Sequence, residues 1–314
     1  MRRDGSGCSY DAIIGLSGGI DSAYLALMLA QTGLRMLAVH VDAGWNTAAA
    51  VGNIERVVKG LGLDLITTVV DWQEMRDLQR AFLRAGVPNQ DIPQDHVFFA
   101  ALRHVARSRG IRHFISGANL ATESVLPRAW GYNAMDALHV RAIHRRFGEA
   151  PIKRIPLISY WRLKIADPIF TQLSIHTPLD WMPYDRAVAQ RALIDKIGWN
   201  DYGGKHRESQ WTSFFQSFWL PIRFGFDKRR AHLSSMILSN QMRREVALVQ
   251  LEQSPFSENE IRIACDYVAR KLDLRLSELS NLLHNPSVPH TAYPSLKWIT
   301  DFSSFFRRCS SMRF

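Results

Sequence analysis

Residues 17–22, with the sequence SGGIDS, have the residue types and spacing of an anion-binding loop. They follow an apolar run at residues 10–16 and precede an apolar-rich segment at residues 23–34. Two adjacent glycines allow a tight turn and a close approach of the backbone to a ligand. The unpaired N–H groups at the start of a following helix then face an anion. The pattern predicts a phosphate site, with hydroxyl donors from Ser17 and Ser22 and a carboxylate for Mg²⁺ from Asp21.

This loop differs from two common phosphate-binding motifs. A P-loop requires Gly-x-x-x-x-Gly-Lys-Ser/Thr, and no lysine occurs between Met1 and Val58; Gly-x-Gly-x-x-Gly is also absent. SGGxDS after a strand instead resembles the PP-loop of the ATP pyrophosphatases, which split ATP into AMP and pyrophosphate while activating a carbonyl oxygen. The resemblance implies ATP and Mg²⁺ as cofactors, with Gly18 and Gly19 at the pyrophosphate. The alternative, a Ser/Gly turn before an amphipathic helix, is disfavoured because the loop follows a first hydrophobic strand.

The composition is that of a soluble globular protein with a substantial core. The chain has 314 residues, 46% of them hydrophobic, which suits one large domain plus a smaller one, or two domains. No stretch approaches the roughly 20 continuous apolar residues of a membrane span, and no apolar core of a signal peptide follows the N-terminal arginines. Cys8, Cys265 and Cys309 are far apart and form no C-x-x-C, so neither a zinc site nor a disulfide framework is expected. A reducing cytoplasm is the simplest compartment.

The net charge of +10 is compatible with several kinds of partner. Basic residues cluster at 141–146, 223–230 and 307–308, which is typical of nucleic-acid binding. The same charge suits an enzyme that binds ATP and a second phosphorylated substrate, or an ordinary solvated surface. Charge alone does not decide between them.

Strand-like and helix-like segments alternate through the first half of the chain. Such alternation predicts an α/β fold with a parallel sheet and helices on both faces. The predicted strands are residues 10–16, 35–41, 64–70 and 112–116, and the predicted helices are residues 22–33, 47–61, 72–85 and 95–108.

Three loops follow the carboxyl ends of predicted strands, where open α/β sheets bind their ligands. They are residues 17–22, the turn after strand two that begins at Asp42, and residues 117–123. Asp42 could contact the nucleotide or a metal, or it could be a turn or capping aspartate. In the third loop, Gly117 would line the nucleotide pocket and Asn119 the substrate. Glu123 could orient a reacting group or open the next segment.

Beyond residue 123 the alternation fades. His139 and His144 lack a metal-ligand spacing, so we expect solvated histidines there, and residues 151–183 are predicted to be a connection with one or two short helices. We place the boundary between an α/β domain (1–175) and a mostly helical C-terminal region (176–314) here. Predicted helices follow at 185–197, 210–219, 232–251, 257–272 and 275–283; Ser257 and Glu260 match a capping box, and the tail at 302–314 has no clear assignment.

Residues 198–209 form a second polar constellation, in which a Gly-Gly pair precedes Lys205, His206 and Glu208. Lysine suits phosphate, and histidine can bind an oxygen or move a proton. Residues 224–234 add a basic cluster that contains Lys228 and Arg229. Taken alone, each stretch is more often a solvated loop than a site.

Several motifs in the same order give these stretches a family context. The chain resembles the N-acetyl sugar amidotransferase family of PP-loop enzymes in four motifs. These are, in chain order, VDAGWN, ISGANLATESVLPRAW, DYGGKHRES and FGFDKRRAHLS. The resemblance implies an adenine nucleotide alpha hydrolase-like domain and a role in bacterial surface polysaccharides such as lipopolysaccharide O-antigen. Family members are thought to convert an acetamido group of a nucleotide-activated sugar into an acetamidino group. Their ammonia comes from a separate glutaminase-and-synthase pair.

The resemblance also implies roles for individual residues. Lys205 would neutralise charge on the departing pyrophosphate, and Lys228 and Arg229 would contact phosphate. His206 and Glu208 are expected to position the substrate, a role that is favoured over proton transfer. Many family members begin with a cysteine-bearing zinc-type segment, whereas this chain has only Cys8 before the loop, so no zinc is carried over.

Two other functions remain open from the sequence. PP-loop enzymes that modify tRNA are also basic, but this chain has no catalytic cysteine pair and no obvious RNA-binding appendage, so nucleic acid is not the expected partner. A non-catalytic nucleotide-binding subunit of a polysaccharide assembly complex is the second alternative.

Overall fold

A five-stranded parallel sheet with the strand order β3-β2-β1-β4-β5 forms the centre of the molecule. A computed structural model describes residues 1–127, 130–203 and 207–297 of the chain. Ile13 of β1 lies beside Leu37 of β2, and Ile14 lies beside Ile115 of β4. The predicted α/β class is therefore confirmed. The strands are β1 (Ala12–Gly15), β2 (Met36–Asp42), β3 (Asp64–Val69), β4 (His113–Ile115) and β5 (Ser174–His176).

Both faces of the sheet are covered, which is why the central strands are nearly continuous apolar runs. Successive side chains of a strand point to opposite faces. Ile13 accordingly packs in a core with α3 (Trp72–Ala85), α4 (Ile92–Ser108) and α6 (Ala137–Phe147). Ile14 packs in a second core with three other helices. Those helices are α1 (Ile20–Ala30), α2 (Ala48–Leu61) and α7 (Arg186–Ile197).

The helix boundaries in the first half follow local capping signals. Thr47 caps α2 by accepting from the N–H of Ala50, and Gly62 ends it in the left-handed conformation at φ 61°, which agrees with the predicted helix end at residue 61. Asp71 caps α3 through the N–H of Glu74.

The C-terminal region is mostly helical, as predicted. The predicted helix at 232–251 is wrong in one respect, because it is two helices that are separated where Asn240 adopts a φ of 58°. The capping box of Ser257 and Glu260 is confirmed. The elements are α8 (Gln210–Phe214), a π-helical turn (Phe215–Trp219), α9 (Leu220–Phe224), α10 (Lys228–Leu238), α11 (Arg244–Glu252), α12 (Glu258–Lys271) and α13 (Leu276–His284).

The middle region contains one element that the sequence did not predict, the strand β5. Residues 151–183 contain a long π-helical segment (Arg162–Thr171) and a short 3-10 turn (Pro178–Asp180), but also β5, which extends the sheet. The division of the chain at residue 175 stays a prediction; β5 lies across it, and α7 packs against α1. Within the described ranges, no helix combines the length and the apolar character that a membrane crossing needs.

The prediction of solvated histidines in α6 is wrong. His139 is fully buried, and His144 Nε2 lies 2.9 Å from a carboxylate oxygen of Asp77. His139 Nε2 lies 3.0 Å from Nδ1 of His290, which is 151 residues further along the chain. The partners that bury these rings are distant in sequence, and local composition therefore does not reveal them.

His290 is held in its neutral form by its neighbours. Its Nε2 accepts the N–H of Asn89 at 3.1 Å, so the neutral ring carries its proton on Nδ1 and donates to His139. A second proton would break one of these bonds. Burial, and then the nearby His139, lower the pKa of His290 from 6.5 to about 3.

The free energy of unfolding should therefore fall as the pH is lowered below 6.5, because the unfolded chain then binds a proton that the folded chain does not. The contribution of His290 has a slope of up to about 1.4 kcal/mol per pH unit. The variant His290→Gln keeps an acceptor for Asn89 and should show a shallower loss between pH 6.5 and 5 in urea titrations. The matched variant His284→Gln removes an exposed histidine and should follow the wild-type curve; equal curves for all three proteins would contradict this assignment.

Candidate active site

Residues 17–22 join β1 to α1 at the carboxyl edge of the sheet, and two neighbouring segments press closely on them. Gly18 has a φ of 81°, and a Cβ there would lie 2.5 Å from the carbonyl oxygen of Ala50 in α2. A Cβ on Gly117, after β4, would lie 2.9 Å from the backbone nitrogen of Ser22. Only glycine lets the backbones approach this closely, so both positions shape the loop.

The loop presents hydroxyl and N–H groups together. Ser17 Oγ accepts from the N–H of Gly19 at 3.2 Å and lies 3.4 Å from Ser22 Oγ. Ser22 Oγ donates to the carbonyl of Gly19 at 3.3 Å. Gly19 is the N-cap of α1 and has no side chain to cap the helix, while the first N–H groups of any α-helix lack acceptors within it. This arrangement can bind an anion.

Asp21 lies in the first turn of α1 and accepts a hydrogen bond from the hydroxyl of Tyr184. Tyr184 is 8% exposed and belongs to the segment that leads from β5 to α7. Burial, and then the negative charge of Asp21, raise the pKa of Tyr184, while Arg186 opposes the rise. Tyr184 is therefore a permanent donor to Asp21. No sequence pattern distinguishes Tyr184 from the other tyrosines.

The second polar constellation meets the carboxyl edge of the sheet through backbone pairing. The N–H of Thr47 donates to the carbonyl of Glu208 at 3.0 Å, and the N–H of Gln210 donates to the carbonyl of Trp45 at 2.8 Å. Asn53 of α2 makes two bonds of 2.8 Å to the backbone N–H and carbonyl of Asn200. Residues 208–210 are thus hydrogen-bonded to the loop after β2, and Asn200 is hydrogen-bonded to α2.

This pairing brings Glu208 next to the SGGIDS loop. A Cβ on Gly19 would lie 3.4 Å from Glu208 Oε1 and 3.5 Å from the hydroxyl of Tyr202. That hydroxyl donates to Glu208 Oε2 at 3.4 Å. Burial, and then the Glu208 carboxylate, raise the pKa of Tyr202, so it stays protonated. The predicted residues Lys205 and His206 lie outside the described residues.

Asp42 has the geometry of the turn alternative. Its Oδ1 accepts from the N–H of Gly44 at 2.7 Å and from Nδ2 of Asn46 at 3.0 Å. Asn46 also lies 3.0 Å from Nε2 of His40. Asp42 therefore fixes the loop after β2 that carries Trp45 and Thr47, and a contact to the nucleotide stays a prediction.

The loop after β4 offers a buried donor. Asn119 is 4% exposed and caps the short helix α5 (Leu120–Glu123) by accepting from the N–H of Thr122 at 2.9 Å. Its Nδ2 is buried and has no hydrogen-bond acceptor in the described part of the chain. Glu123 ends α5, and its charge contributes to the raised pKa of Tyr184. The loop thus faces the same region as Asp21.

The basic cluster at 224–234 reaches the loop after β4 through α10. His232 Nδ1 lies 3.1 Å from the carbonyl oxygen of Thr122, and Ser239 Oγ donates to the carbonyl of Ala121 at 2.9 Å. Burial, and then the charge of nearby Asp91, raise the pKa of Asp95 to about 7. Lys228, the first residue of α10, lies close enough to Asp95 that its positive charge partly opposes this rise.

The Arg229 side chain is bonded to groups within the protein. Its Nη2 lies 2.7 Å from Asp227 Oδ2, and its Nη1 donates to the carbonyl of Gln253 at 2.6 Å. The guanidinium therefore ties the start of α10 to the segment after α11. A phosphate contact of Arg229 stays a prediction.

Comparisons with known proteins match parts of the chain. Residues 208–306 match the family model described as "LPS biosynthesis protein WbpG-like, C-terminal domain". The GMP synthases [glutamine-hydrolyzing] of two Thermus thermophilus strains are each 31% identical over 162 residues, which cover 50% of this chain and 30% of the relative. The chain thus matches less than a third of the length of these curated relatives.

Two solved structures are distant matches. The NH3-dependent NAD synthetase from Campylobacter jejuni has 13% identity and a TM-score of 0.37, over 91% of this chain and 93% of that one. The U34-tRNA thiolase NcsA from Methanococcus maripaludis has 12% identity and a TM-score of 0.39, over 75% of this chain and 74% of that one.

The family match covers Glu208, which lies beside the SGGIDS loop, and α10, which contacts the loop after β4. The match agrees with the family resemblance predicted from the sequence: this chain is an α/β protein with a parallel sheet, and its residues 208–306 are similar to the C-terminal domain of a WbpG-like LPS biosynthesis protein.

Proposed function

We propose that this protein is an ATP-dependent, AMP-forming amidotransferase of bacterial surface polysaccharide biosynthesis. It would replace the acetamido oxygen of a nucleotide-linked N-acetyl sugar with nitrogen from ammonia, which gives an acetamidino group. A separate glutaminase-and-synthase pair would supply the ammonia. The observation that carries the proposal is the pairing of residues 208–210 with residues 45–47, because it brings Glu208 of the WbpG-like region beside the SGGIDS loop.

The loop fits the polyphosphate of ATP as a substrate. Gly18 and Gly117 leave no room for a Cβ, so close backbone packing shapes the loop, and the first N–H groups of α1 would face a phosphate. Ser17 and Ser22 would add hydroxyl donors. These residues would bind the pyrophosphate portion, and Asp42 and Gly117 would bound the nucleotide.

Asp21 would hold Mg²⁺, which neutralises charge on the pyrophosphate when it is bound. Mg²⁺ is commonly held by one or two carboxylates together with substrate phosphates and water. Residues 1–127, 130–203 and 207–297 contain no group of three or more histidine, cysteine or acidic side chains that could enclose a metal, so a shell shared with phosphate suits this site. The hydroxyl of Tyr184 would fix the orientation of the Asp21 carboxylate.

The reaction follows from the poor leaving ability of an amide oxygen. The acetamido oxygen attacks the α-phosphorus of ATP, and pyrophosphate leaves. Ammonia then adds to the resulting imidate carbon and loses a proton, and AMP leaves with the former amide oxygen. Most of the acceleration would come from positioning and from fixed charges.

The remaining residues would bind the sugar substrate and stabilise the leaving groups. The buried Nδ2 of Asn119 would donate to the substrate, and Glu208, with Tyr202, would position it beside the loop. Glu123 and Lys228 border the same region. Lys205 would neutralise pyrophosphate and His206 would assist positioning, as implied by the family resemblance.

The direct test is incubation with ATP, Mg²⁺, ammonium and a panel of nucleotide-linked N-acetyl sugars. Mass spectrometry should detect AMP and a product lighter by the difference between O and NH. Release of ADP would contradict the adenylation step. Absence of sugar-dependent turnover, together with salt-dependent tRNA binding, would favour tRNA modification.

Replacement of the metal-binding carboxylate should separate this enzyme from a non-catalytic subunit. Asp21→Asn should lower AMP formation about 10²- to 10³-fold, because a charge that stabilises the reacting phosphates is lost. Asp64 offers a matched control, since it also accepts from a tyrosine hydroxyl, that of Tyr10 at 2.8 Å, on an edge strand. Asp64→Asn should leave turnover unchanged; unchanged turnover in Asp21→Asn would exclude the proposed role.

The close approach at Gly117 predicts a steric effect on the loop. In Gly117→Ala the new Cβ would lie 2.9 Å from the nitrogen and 3.0 Å from the Cα of Ser22, so the loop must shift, and AMP formation should fall at least about tenfold. Gly52→Ala is the control, because its Cβ would meet only the end of the flexible Arg56 side chain. Full activity of Gly117→Ala, with Tm values of both variants near the wild-type value, would show that this contact does not position the loop.

A further inference from the structure

A cavity of about 120 Å³ lies between the second half of α4, residues 156–158 and the π-helical segment Arg162–Thr171. It is separate from the candidate active site. Asp95, near the start of α4, faces Glu123 and Lys228, whereas Arg103 and Arg107 lie two to three turns further along, a rise of about 12–18 Å. Because β4 begins soon after α4 ends, this cavity lies towards the amino edge of the sheet.

The polar part of the cavity wall carries an excess of positive charge. Asp167 is 8% exposed; its Oδ2 lies 3.3 Å from Nη1 of Arg103, and its Oδ1 lies 3.9 Å from Nε of Arg162. Arg107 and His104 also line the cavity. Two guanidinium groups thus lie beside one carboxylate, and the third arginine, Arg107, lines the same cavity. Since arginine forks match carboxylate oxygens, the wall favours an anion as occupant.

The rest of the wall is apolar. An inorganic ion such as phosphate would leave this surface without a partner, whereas a ligand with a hydrocarbon body would cover it. A protein cavity of about 150 Å³ lined by apolar side chains holds the six carbons of a benzene molecule, so this smaller one suits a hydrocarbon body of fewer than about six carbons. The apolar wall is formed by Ala100, Ile111, Pro156, Leu157, Ile158 and Leu173.

The backbone of one wall is also unusual. Residues Arg162–Thr171 form a π-helix of 10 residues, whereas π-helical geometry is rare, mostly limited to single turns, and frequent at functional sites. This segment contributes Arg162 and Asp167 to the cavity, so the irregular backbone presents its polar groups.

We propose that this cavity is a second binding site, for a small aliphatic monocarboxylate whose head group meets the Arg103–Arg107–Arg162 cluster and whose hydrocarbon body lies against the apolar wall. The site is independent of the proposed ATP chemistry.

The probe is isovalerate, a branched aliphatic monocarboxylate, titrated into the full chain by calorimetry. We expect saturable binding with a Kd on the order of 1 mM, as suits a ligand of so few atoms. Arg107→Ala should weaken binding at least about tenfold, because it removes a charge at the cavity and leaves the Arg103–Asp167 ion pair intact. Arg109→Ala, which removes an exposed arginine outside the cavity wall, should bind like the wild type.

Two further arms separate this site from nonspecific attraction. Ala100→Val puts two methyl groups into the cavity and should abolish binding. If Ala100→Val lowers the Tm, Arg107→Ala, which leaves the apolar wall unchanged, provides the independent test. The uncharged 3-methylbutanol and inorganic phosphate should each bind more weakly than isovalerate. Lack of isovalerate binding, an unchanged affinity in Arg107→Ala, an equal loss in Arg109→Ala, or equal affinity for the alcohol or for phosphate would overturn the proposal.

Discussion

Two backbone hydrogen bonds, from Thr47 to Glu208 and from Gln210 to Trp45, hold the candidate site together. Both bonds join backbone groups, so they restrict no side-chain rotamer. They fix the register of residues 208–210 against the loop after β2. Without them, Glu208 and Tyr202 would have no defined position relative to the SGGIDS loop. Asn53 adds a side-chain anchor on the same segment through Asn200. The proposed chemistry therefore depends on a contact between residues more than 150 positions apart.

Trp45 connects this contact to the packing of the C-terminal helices. The ring is 1% exposed and packs with Trp211 at a centroid distance of 5.4 Å. The ammonium of Lys271 in α12 lies 4.9 Å from the Trp72 ring and 5.6 Å from the Trp45 ring, a favourable cation–π geometry. The loop after β2 is consequently a shared part of the sheet and of the aromatic core of the C-terminal region. Displacement of Trp45 would disturb both.

Local signals in the sequence predict what is decided locally. Gly62 ends α2 and Ser257 begins α12 as expected, because capping depends on a few neighbouring residues. β5 was not predicted, since its three residues, SIH, lack a strand pattern. Tyr184 could not be distinguished from other tyrosines because its partner, Asp21, is 163 positions away. Burial of His139 likewise depends on distant residues. The turn role of Asp42 was one of two alternatives, and only geometry separates them.

The family match begins at residue 208. This position is not a boundary between folding units. Residues 208 and 210 are already paired with the loop after β2, and the core around Trp211 and Trp219 is completed by Trp45 and Leu83 from the first half of the chain. A fragment that began at residue 208 would expose these aromatic faces to water. The WbpG-like region therefore gains its structure as part of the whole chain, and homology limits are a poor guide to where this molecule can be cut.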